Sequence, residues 1–571
     1  MTLKSPFDSR NIVWYISEVT PNHIKVHFPD SQLLKRFNYH WDSLHWWILG
    51  SYVAIEWETK WFIWKIVRIS LPEKERMNLS ESNYKTSELH PIWIVEILFS
   101  FDLLTFEAQK SIQDYPPISS KIYICSPELY IDILNKNKSL ENSDELKIWE
   151  ALWTNEKVNL SANNIFNRHC AILWTTWWWK SYTISKVIQE LVEKDNAKIF
   201  LLDATWEFSK FDDEEYSDNA IFNNWENSTF FSYKKFTFDD LCALFRPAWQ
   251  SQLPLLEESL KVLGVLDKLW EKYWNTHADT WLNNEVFLKE GRNNWWFNKI
   301  IWENELDITK VNIKNLPLQI HLWCVKTEIW AFWSKDSWML QNTQSLIYRI
   351  RGFLSDKDNI NIFNIEDGLE SNNEERDLFC KFDDYLKEEN SKKLFRIDLS
   401  NIPENWTIKE ILVNSIWRYF LNKSKEKKED WKKIFEDRPI IIFIDEAHLF
   451  LNKKVKDEYS IEVELNAFDR IAKECRKFGV FLCLSTQRPR DIPEWVLSQI
   501  WTFIIHRLIN DKDKQAVENA SPSYAKEFLN FLPSLWQWEA IVMGVNFLTT
   551  LFLKIWKPSI EPNSNTPKLF N

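Results

Sequence analysis

The chain has 571 residues, of which 45% are hydrophobic and 27% are charged, and its formal net charge is −12. That length allows roughly two to four domains, and the composition excludes wholesale disorder, a collagen-like repeat and a membrane-embedded bundle. The negative charge argues against a surface generally coated with nucleic acid, because phosphate contacts need clustered Lys and Arg, but it still allows a local basic channel.

Tryptophan and glycine occur in an unusual proportion. The chain has 35 Trp and 7 Gly, whereas glycine alone makes up about 7% of an average protein, the share that the two residues hold together here. Several tryptophans, including Trp47, Trp206, Trp536 and Trp538, stand at turns, where glycine tolerates positive φ. We hypothesise that most of them are glycine in the native protein, encoded by a UGA codon that some bacterial lineages read as glycine. The alternative, a genuinely Trp-rich carbohydrate binder, gives no reason for the shortage of glycine.

The seven cysteines are odd in number and show no CxxC spacing, and several lie in apolar runs. This pattern indicates reduced core residues and predicts neither a disulfide framework nor a zinc site. The first ten residues contain no apolar signal region, and no stretch approaches the roughly 18 consecutive apolar residues of a membrane span. We therefore expect a cytoplasmic protein with no membrane partner.

Residues 1–135 contain short runs of β-branched and aromatic residues, at 23–28, 52–55 and 62–67, that are separated by turn residues. Spacing of this kind predicts a small β-barrel. Glycine at Trp61 and Trp64 would add the kinks that curved barrel strands use. A polar link then leads to a different pattern.

Residues 150–556 alternate apolar strands with helical stripes, which is the pattern of an α/β domain with a mostly parallel sheet. A mainly helical insertion is predicted at about 236–390, and the tail, 557–571, is predicted to be disordered. The predicted strands lie at 169–173, 198–203, 394–399, 439–445, 480–485, 503–508 and 540–545.

The first of these strands runs into a loop and then an amphipathic helix. With glycine in place of four tryptophans, the loop reads GTTGGGKS, a P-loop in its strand–loop–helix context. Its backbone N–H groups would surround the phosphates of ATP at the positive end of the helix, Lys180 would reach the β- and γ-phosphate oxygens, and the Ser181 hydroxyl would bind Mg²⁺. The predicted nucleotide-binding residues are Trp174, Thr175, Thr176, Trp177, Trp178, Trp179, Lys180, Ser181 and Tyr182.

With tryptophan at all four positions, as the sequence is printed, this loop cannot bind a triphosphate. Four indole rings would fill the phosphate volume, and bulky residues would be held in unfavourable φ regions. We therefore expect the literal chain to be inactive as an ATPase. The alternative interpretation is a chance Lys-Ser pair after an aromatic cluster.

Residues 439–446 form a continuous apolar strand that ends in two acids. Asp445 is predicted to hold Mg²⁺ through water, and Glu446 to orient and deprotonate the attacking water. An apolar strand that ends in Asp-Glu is often only a strand end, so this prediction depends on the loop. His448 is interpreted as structural.

The next predicted strand ends near Gln487, whose neutral amide can sense the γ-phosphate or its water. Eleven residues earlier, Arg476 lies at a basic helix end, where it could serve as an arginine finger for a neighbouring subunit. The alternatives are an ordinary surface arginine at 476 and a finger supplied by Arg507.

With glycine restored, several segments together resemble the HerA family of the HerA/FtsK branch of P-loop ATPases. They are residues 168–181, 202–208, 444–448, 485–489 and 532–540. The resemblance implies a RecA-like core preceded by a HAS-type barrel, a hexameric ring, and ATP-driven translocation along or unwinding of double-stranded DNA. Members of the family often work with a nuclease in DNA-end processing, repair or phage defence, so the resemblance also implies a nuclease partner. The family's arginine finger falls at Arg476, and Phe208 replaces a family Tyr.

Two other functions remain open from the sequence. A conjugation or secretion coupling ATPase of the same superfamily would usually carry N-terminal membrane spans, and this chain shows none. A ring scaffold that binds nucleotide without turnover would use the barrel to dock a partner. A Trp-lined sugar-binding module is excluded by the strand-flanked Lys180-Ser181 pair.

Overall fold

The computed structural model describes twenty-eight stretches of the chain that fall into two compact units. One unit comprises Met1–Lys194 and Ile500–Ser559, and the other comprises Asp195–Gln499 and Ile560–Asn571. The described residues are 12–21, 23–29, 37–39, 42–44, 52–57, 60–72, 90–102, 108–109, 115–125, 144–152, 157–175, 179–194, 198–223, 228–248, 250–266, 282–283, 286–287, 299–301, 303–324, 336–365, 374–403, 407–427, 433–451, 454–455, 463–464, 467–521, 523–547 and 549–563.

The described strands and α-helices are numbered in chain order. The strands are β1 (Ile12–Tyr15), β2 (Glu18–Val19), β3 (His23–His27), β4 (Phe37–Tyr39), β5 (Asp42–Leu44), β6 (Tyr52–Trp57), β7 (Lys60–Ser70), β8 (Ile92–Asp102), β9 (Ala108–Gln109), β10 (Lys121–Ile124), β11 (Glu145–Ala151), β12 (Lys157–Ser161), β13 (His169–Leu173), β14 (Lys198–Asp203), β15 (Ser217–Ile221), β16 (Leu282–Asn283), β17 (Val286–Phe287), β18 (Leu394–Asp398), β19 (Ile440–Ile444), β20 (Lys454–Val455), β21 (Val463–Glu464), β22 (Val480–Thr486), β23 (Ile500–Ile505), β24 (Glu539–Gly544) and β25 (Leu551–Ile555). The helices are α1 (Ala162–Phe166), α2 (Trp179–Val192), α3 (Phe238–Phe245), α4 (Leu253–Gly264), α5 (Leu316–Trp323), α6 (Ser337–Ser355), α7 (Lys357–Phe363), α8 (Leu378–Leu386), α9 (Ile408–Lys425), α10 (Ala467–Glu474), α11 (Glu494–Leu497) and α12 (Asp511–Ala520).

The N-terminal strands form one antiparallel sheet in the order β1-β10-β6-β7-β8-β3-β2, with β9 on the edge of β8. The strands at the two ends of this path, β1 and β2, are separated in the chain only by Ile16 and Ser17. The Ile16 N–H donates to the Ser120 carbonyl, and the Ser17 N–H donates to the Lys25 carbonyl. The sheet therefore curls around its apolar core, and the predicted barrel is present in part.

A second sheet in the same unit has the strand order β12-β11-β25-β24-β23-β13. Its neighbouring strands are antiparallel except for β13, which lies parallel to β23. The strand predicted at 503–508 lies instead at Ile500–Ile505, because the backbone beyond it binds another segment. There the Arg507 carbonyl accepts from the Thr175 N–H, and the Ile509 N–H donates to the Thr175 hydroxyl.

The other unit contains a sheet with the order β22-β19-β14-β18-β15, in which all neighbouring pairs are parallel. The residues of β14, β18 and β19 are all buried, as expected for parallel strands covered on both faces. This confirms the α/β character predicted from the sequence. Helices α3 to α8 lie in the chain between β15 and β18, together with the β16–β17 hairpin.

The prediction of a disordered tail is wrong for its first seven residues, 557–563. Ser559 donates from its backbone N–H and its hydroxyl to the Gln189 side chain. The backbone N–H of Asn563 donates to the Glu207 carbonyl, and its side chain donates to the Ser209 hydroxyl. The rest of the predicted tail, 564–571, lies outside the described residues.

Two tryptophans have a backbone conformation that suits glycine. Trp206 has a φ of 65° and Trp538 has a φ of 68°, a left-handed region in which a bulky side chain is strained. Four others, Trp64, Trp149, Trp174 and Trp417, are at most 1% exposed, and among the described residues their indole N–H groups have no hydrogen-bond partner. Buried indoles normally find an acceptor.

Across the described part of the chain, no helix combines the length and the apolar character that crossing a bilayer requires.

Candidate active site

The predicted phosphate loop connects β13 to α2. The structure describes the loop at Trp174 and Thr175, and α2 begins at Trp179. The predicted residues Thr176, Trp177 and Trp178 lie outside the described residues, as does the side chain of Trp179. The strand and the helix that a P-loop requires are therefore both present.

The first turn of α2 carries three more of the predicted residues. Lys180 is 2% exposed and Ser181 is fully buried, so both side chains lie inside the unit at the positive end of the helix. The Lys180 ammonium lies 4.9 Å from the ring centroid of the buried Trp174, a cation–π contact. Tyr182 packs edge-on against Trp538, with ring centroids 5.2 Å apart. With tryptophan at position 174, the lysine that would bind the phosphates is thus in contact with an indole ring instead.

A buried histidine that the sequence reasoning missed braces this loop. His506 follows β23, and its N–H donates to the Leu173 carbonyl at the end of β13. Its Nδ1 lies 2.9 Å from the Glu539 carbonyl, and its Nε2 lies 2.9 Å from the Thr183 hydroxyl on α2. Burial lowers the pKa of His506 to about 4, so the ring is neutral, with Nδ1–H as donor and Nε2 as acceptor.

This histidine should make the protein less stable in mild acid. In the unfolded chain the pKa of His506 is near 6.5, so its ring binds a proton below that pH. In the folded chain the ring binds the proton only below about pH 4. As the pH is lowered between those two values, the free energy of unfolding should therefore fall by about 1.4 kcal/mol for each pH unit. We expect the thermal midpoint to drop less between about pH 7 and about pH 5 in His506→Gln than in the parent. Equal drops would contradict this assignment.

The acid pair lies at the carboxyl edge of the parallel sheet. Leu202 of β14 is in register with Ile444 of β19, and Ile444 with Leu484 of β22. The next residues along those strands are therefore level with each other at one edge, and they include Asp445 and Ser485.

Asp445 is fully buried and is held by two hydroxyl groups. The Ser485 hydroxyl donates to its Oδ1 at 3.1 Å, and the Thr205 hydroxyl donates to its Oδ2 at 3.3 Å. Thr205, in the turn after β14, and Ser485, in β22, therefore orient this carboxylate, which the spacing of the motif alone does not reveal.

Glu446 adopts a strained backbone conformation. Its φ is 47°, a left-handed conformation that is costly for a residue with a Cβ and that recurs at functional sites. Its side chain is 9% exposed, and its Oε2 lies 3.2 Å from Nδ1 of His448. The same nitrogen lies 3.1 Å from the Thr486 hydroxyl. His448 thus lies between the Glu446 carboxylate and the Thr486 hydroxyl at the end of β22.

The donor groups at Asp445 fit a magnesium ion. Mg²⁺ prefers oxygen ligands and is usually bound by one or two carboxylates together with phosphates and water. Asp445 offers a buried carboxylate, and the described residues contain no cluster of three His, Cys, Asp or Glu side chains that could form an all-protein cage. A metal bound by Asp445 would supply positive charge against the phosphates of a nucleotide.

A buried arginine that binds Asp203 was also missed by the sequence reasoning. Arg396 of β18 is fully buried and forms ion pairs with Asp203, Asp212 and Asp398. Burial raises the pKa of Asp203 to about 6; the charges of Asp445 and Asp398 add to this, and that of Arg396 opposes it. The signal in the sequence is an arginine inside the otherwise apolar run 394–397.

The remaining predicted residues lie at the surface. Gln487 is partly exposed directly after β22, at the same sheet edge as Asp445. Arg476 is exposed on the 3₁₀ turn Cys475–Phe478, and Arg507 is exposed after β23. Exposure of Arg476 is compatible with a role on a neighbouring copy of the chain.

Two family models match the regions that contain these residues. One, described as the central domain of helicase HerA, covers residues 151–312, and the other, described as a helicase HerA-like C-terminal domain, covers residues 435–542. The chain belongs to the HerA-like ATPases. The first match contains Lys180, Ser181 and Asp203, and the second contains Asp445 and Glu446.

Individual relatives of this HerA-like chain match it to different extents. A probable helicase of Methanocaldococcus jannaschii is 27% identical over 423 residues, 70% of this chain and 68% of that protein. The DNA double-strand break repair helicase HerA of Pyrococcus furiosus is 31% identical over 136 residues, which is 22% of this chain and 24% of that protein. The structure of VirB4 of Thermoanaerobacter pseudethanolicus covers 74% of this chain and 100% of its own, with a TM-score of 0.44 and 11% identity.

Proposed function

We propose that this HerA-like chain is an ATP-driven motor that translocates along or unwinds double-stranded DNA. It acts as a hexameric ring of copies and serves DNA-end processing, repair or phage defence together with a nuclease partner. The observation that carries the proposal is the buried Asp445, held by two hydroxyls beside the strained Glu446. Relatives named as DNA double-strand break repair helicases support DNA as the polymer.

The proposed reaction assigns one task to each residue. Backbone amides of the loop and the Lys180 ammonium bind the triphosphate, and Asp445 with Ser181 holds the metal ion. Glu446 accepts a proton from the attacking water, and the Gln487 amide senses the γ-phosphate. Arg476 of one copy stabilises the charge that develops at the site of a neighbouring copy, which its exposure allows.

The loop can perform this task only with small residues. We propose glycine at positions 174, 177, 178 and 179 of the native protein. The positive φ at Trp206 and Trp538 supports the same substitution elsewhere in the chain. The full chain translated with UGA read as glycine is called the glycine form below.

The test is ATP turnover by the glycine form with and without duplex DNA. We expect duplex DNA to raise the rate several-fold, because a motor releases its products faster when it moves along its track. Turnover that is indifferent to duplex DNA would overturn DNA as the substrate and favour a coupling ATPase. Nucleotide binding without any turnover would overturn the motor and favour a ring scaffold.

A further inference from the structure

Arg396 carries more negative partners than one buried cation needs. Its Nε and Nη2 bind Asp212 at 2.9 and 2.5 Å, and its Nη1 binds Asp203 at 2.8 Å and Asp398 at 3.2 Å. One carboxylate would balance the charge, and each further ion removed from water adds a desolvation cost. A purely structural pair needs no such set, so the arrangement points to a task beyond charge balance.

The shared partner Asp203 shapes the turn that follows β14. Its Oδ1 accepts from the Thr205 N–H at 3.2 Å, and its Oδ2 accepts from the Phe208 N–H at 3.1 Å. Oδ2 is also the oxygen that Arg396 binds. The arginine therefore fixes the orientation of a carboxylate whose two oxygens hold both ends of the turn 205–208.

This turn delivers a hydroxyl to the proposed metal ligand. The Thr205 side chain donates to Oδ2 of Asp445, whereas Ser485, from β22, donates to Oδ1. The two hydroxyls come from different elements, the turn after β14 and the strand β22. Only the one from Thr205 depends on the turn that Asp203 and Arg396 hold.

We propose that Arg396 is a positioning residue for ATP hydrolysis, which through Asp203 and Thr205 sets the orientation of the Asp445 carboxylate toward the metal ion. The inference rests on the proposed function of Asp445. It predicts that loss of the guanidinium weakens the use of metal-bound nucleotide and leaves metal-free nucleotide binding unchanged.

The test compares Arg396→Lys with the parent in the glycine form. Lysine keeps the charge but cannot bridge three carboxylates. We expect hydrogen–deuterium exchange to increase in the peptide that contains Thr205 and Phe208. We also expect the Mg²⁺ concentration needed for half-maximal turnover to rise about tenfold, while the affinity for nucleotide in EDTA stays at the parental value. Thr205→Val, a milder change, should raise the Mg²⁺ requirement in the same direction.

A matched control is Arg418→Lys in the same unit. Arg418 binds the fully buried Asp240 through both terminal nitrogens, together with Ser415, and has no described contact with Asp445. This control should lower the thermal midpoint and leave the Mg²⁺ requirement unchanged. In double variants, Arg396→Lys and Thr205→Val should be non-additive, because they act on one path, whereas Arg396→Lys and Ser485→Ala should add.

The outcomes separate the inference from the proposed function. If the parent turns over ATP but Arg396→Lys changes only the thermal midpoint, as Arg418→Lys does, the inference is overturned and the function stands. If the parent glycine form hydrolyses no ATP, the proposed function fails and the inference fails with it. Faster exchange at the turn together with a higher Mg²⁺ requirement supports both.

Discussion

Glu446→Gln is expected to lower ATP turnover by the glycine form about a hundredfold or more. The amide has the shape of the carboxylate but cannot accept the proton of the attacking water, and general-base catalysis typically contributes 10²–10⁴-fold. Nucleotide affinity should stay close to that of the parent, because the proposed binding contacts come from the loop, Lys180 and Asp445. The measurement is steady-state phosphate release together with equilibrium binding of a fluorescent ATP analogue.

Glu474→Gln provides the matched control for this change. Glu474 ends α10 in the same unit and forms an ion pair with Lys425 at 3.1 Å, with 46% of its side chain exposed. Its hydrogen bond with Lys425 lowers its pKa, but it has no proposed part in hydrolysis. We expect parental turnover from this variant. Retention of parental turnover by Glu446→Gln as well would remove Glu446 from the reaction.

The second large effect is expected at the loop itself. The glycine form should bind ATP with ordinary P-loop affinity, whereas the same chain carrying Trp at 174, 177, 178 and 179 should show no measurable binding, because the rings take the space of the phosphates. Isothermal titration with ATP in Mg²⁺ gives both values. Equal affinity in the two forms would mean that this loop does not hold the triphosphate.

A control for the loop change uses a tryptophan outside the site. Trp338 on α6 is 68% exposed. Either glycine or tryptophan at position 338 therefore changes the packing of the core little. In the glycine form, tryptophan at 338 alone should leave ATP affinity unchanged. The contrast isolates the loop positions from a general effect of indole on the fold.

Several elements of the fold could be predicted from their patterns of apolar residues. The strands β13 and β14 begin and end where the sequence predicts, because both are continuous buried runs. Strand β23 ends three residues before the predicted end, since Thr175 binds backbone groups beyond Ile505. A contact between segments more than 300 residues apart leaves no local trace in the sequence.

The motifs of the candidate site could be predicted from the sequence, but the residues that position their side chains could not. Lys180, Ser181, Asp445 and Glu446 follow from the order of residue types along two segments. The hydroxyls of Thr205 and Ser485 and the guanidinium of Arg396 do not, because they meet Asp445 or its neighbours only through the register of parallel strands. Burial of a histidine such as His506 is likewise a property of packing.

The most direct test of the whole account is mass spectrometry of the protein isolated from its natural host. The peptide that contains Lys180 and Ser181 is fragmented so that each residue from 174 to 179 is read individually. We predict the masses of glycine at 174, 177, 178 and 179. Intact tryptophan at these four positions would contradict the account, because the chain would then have no loop able to surround a triphosphate.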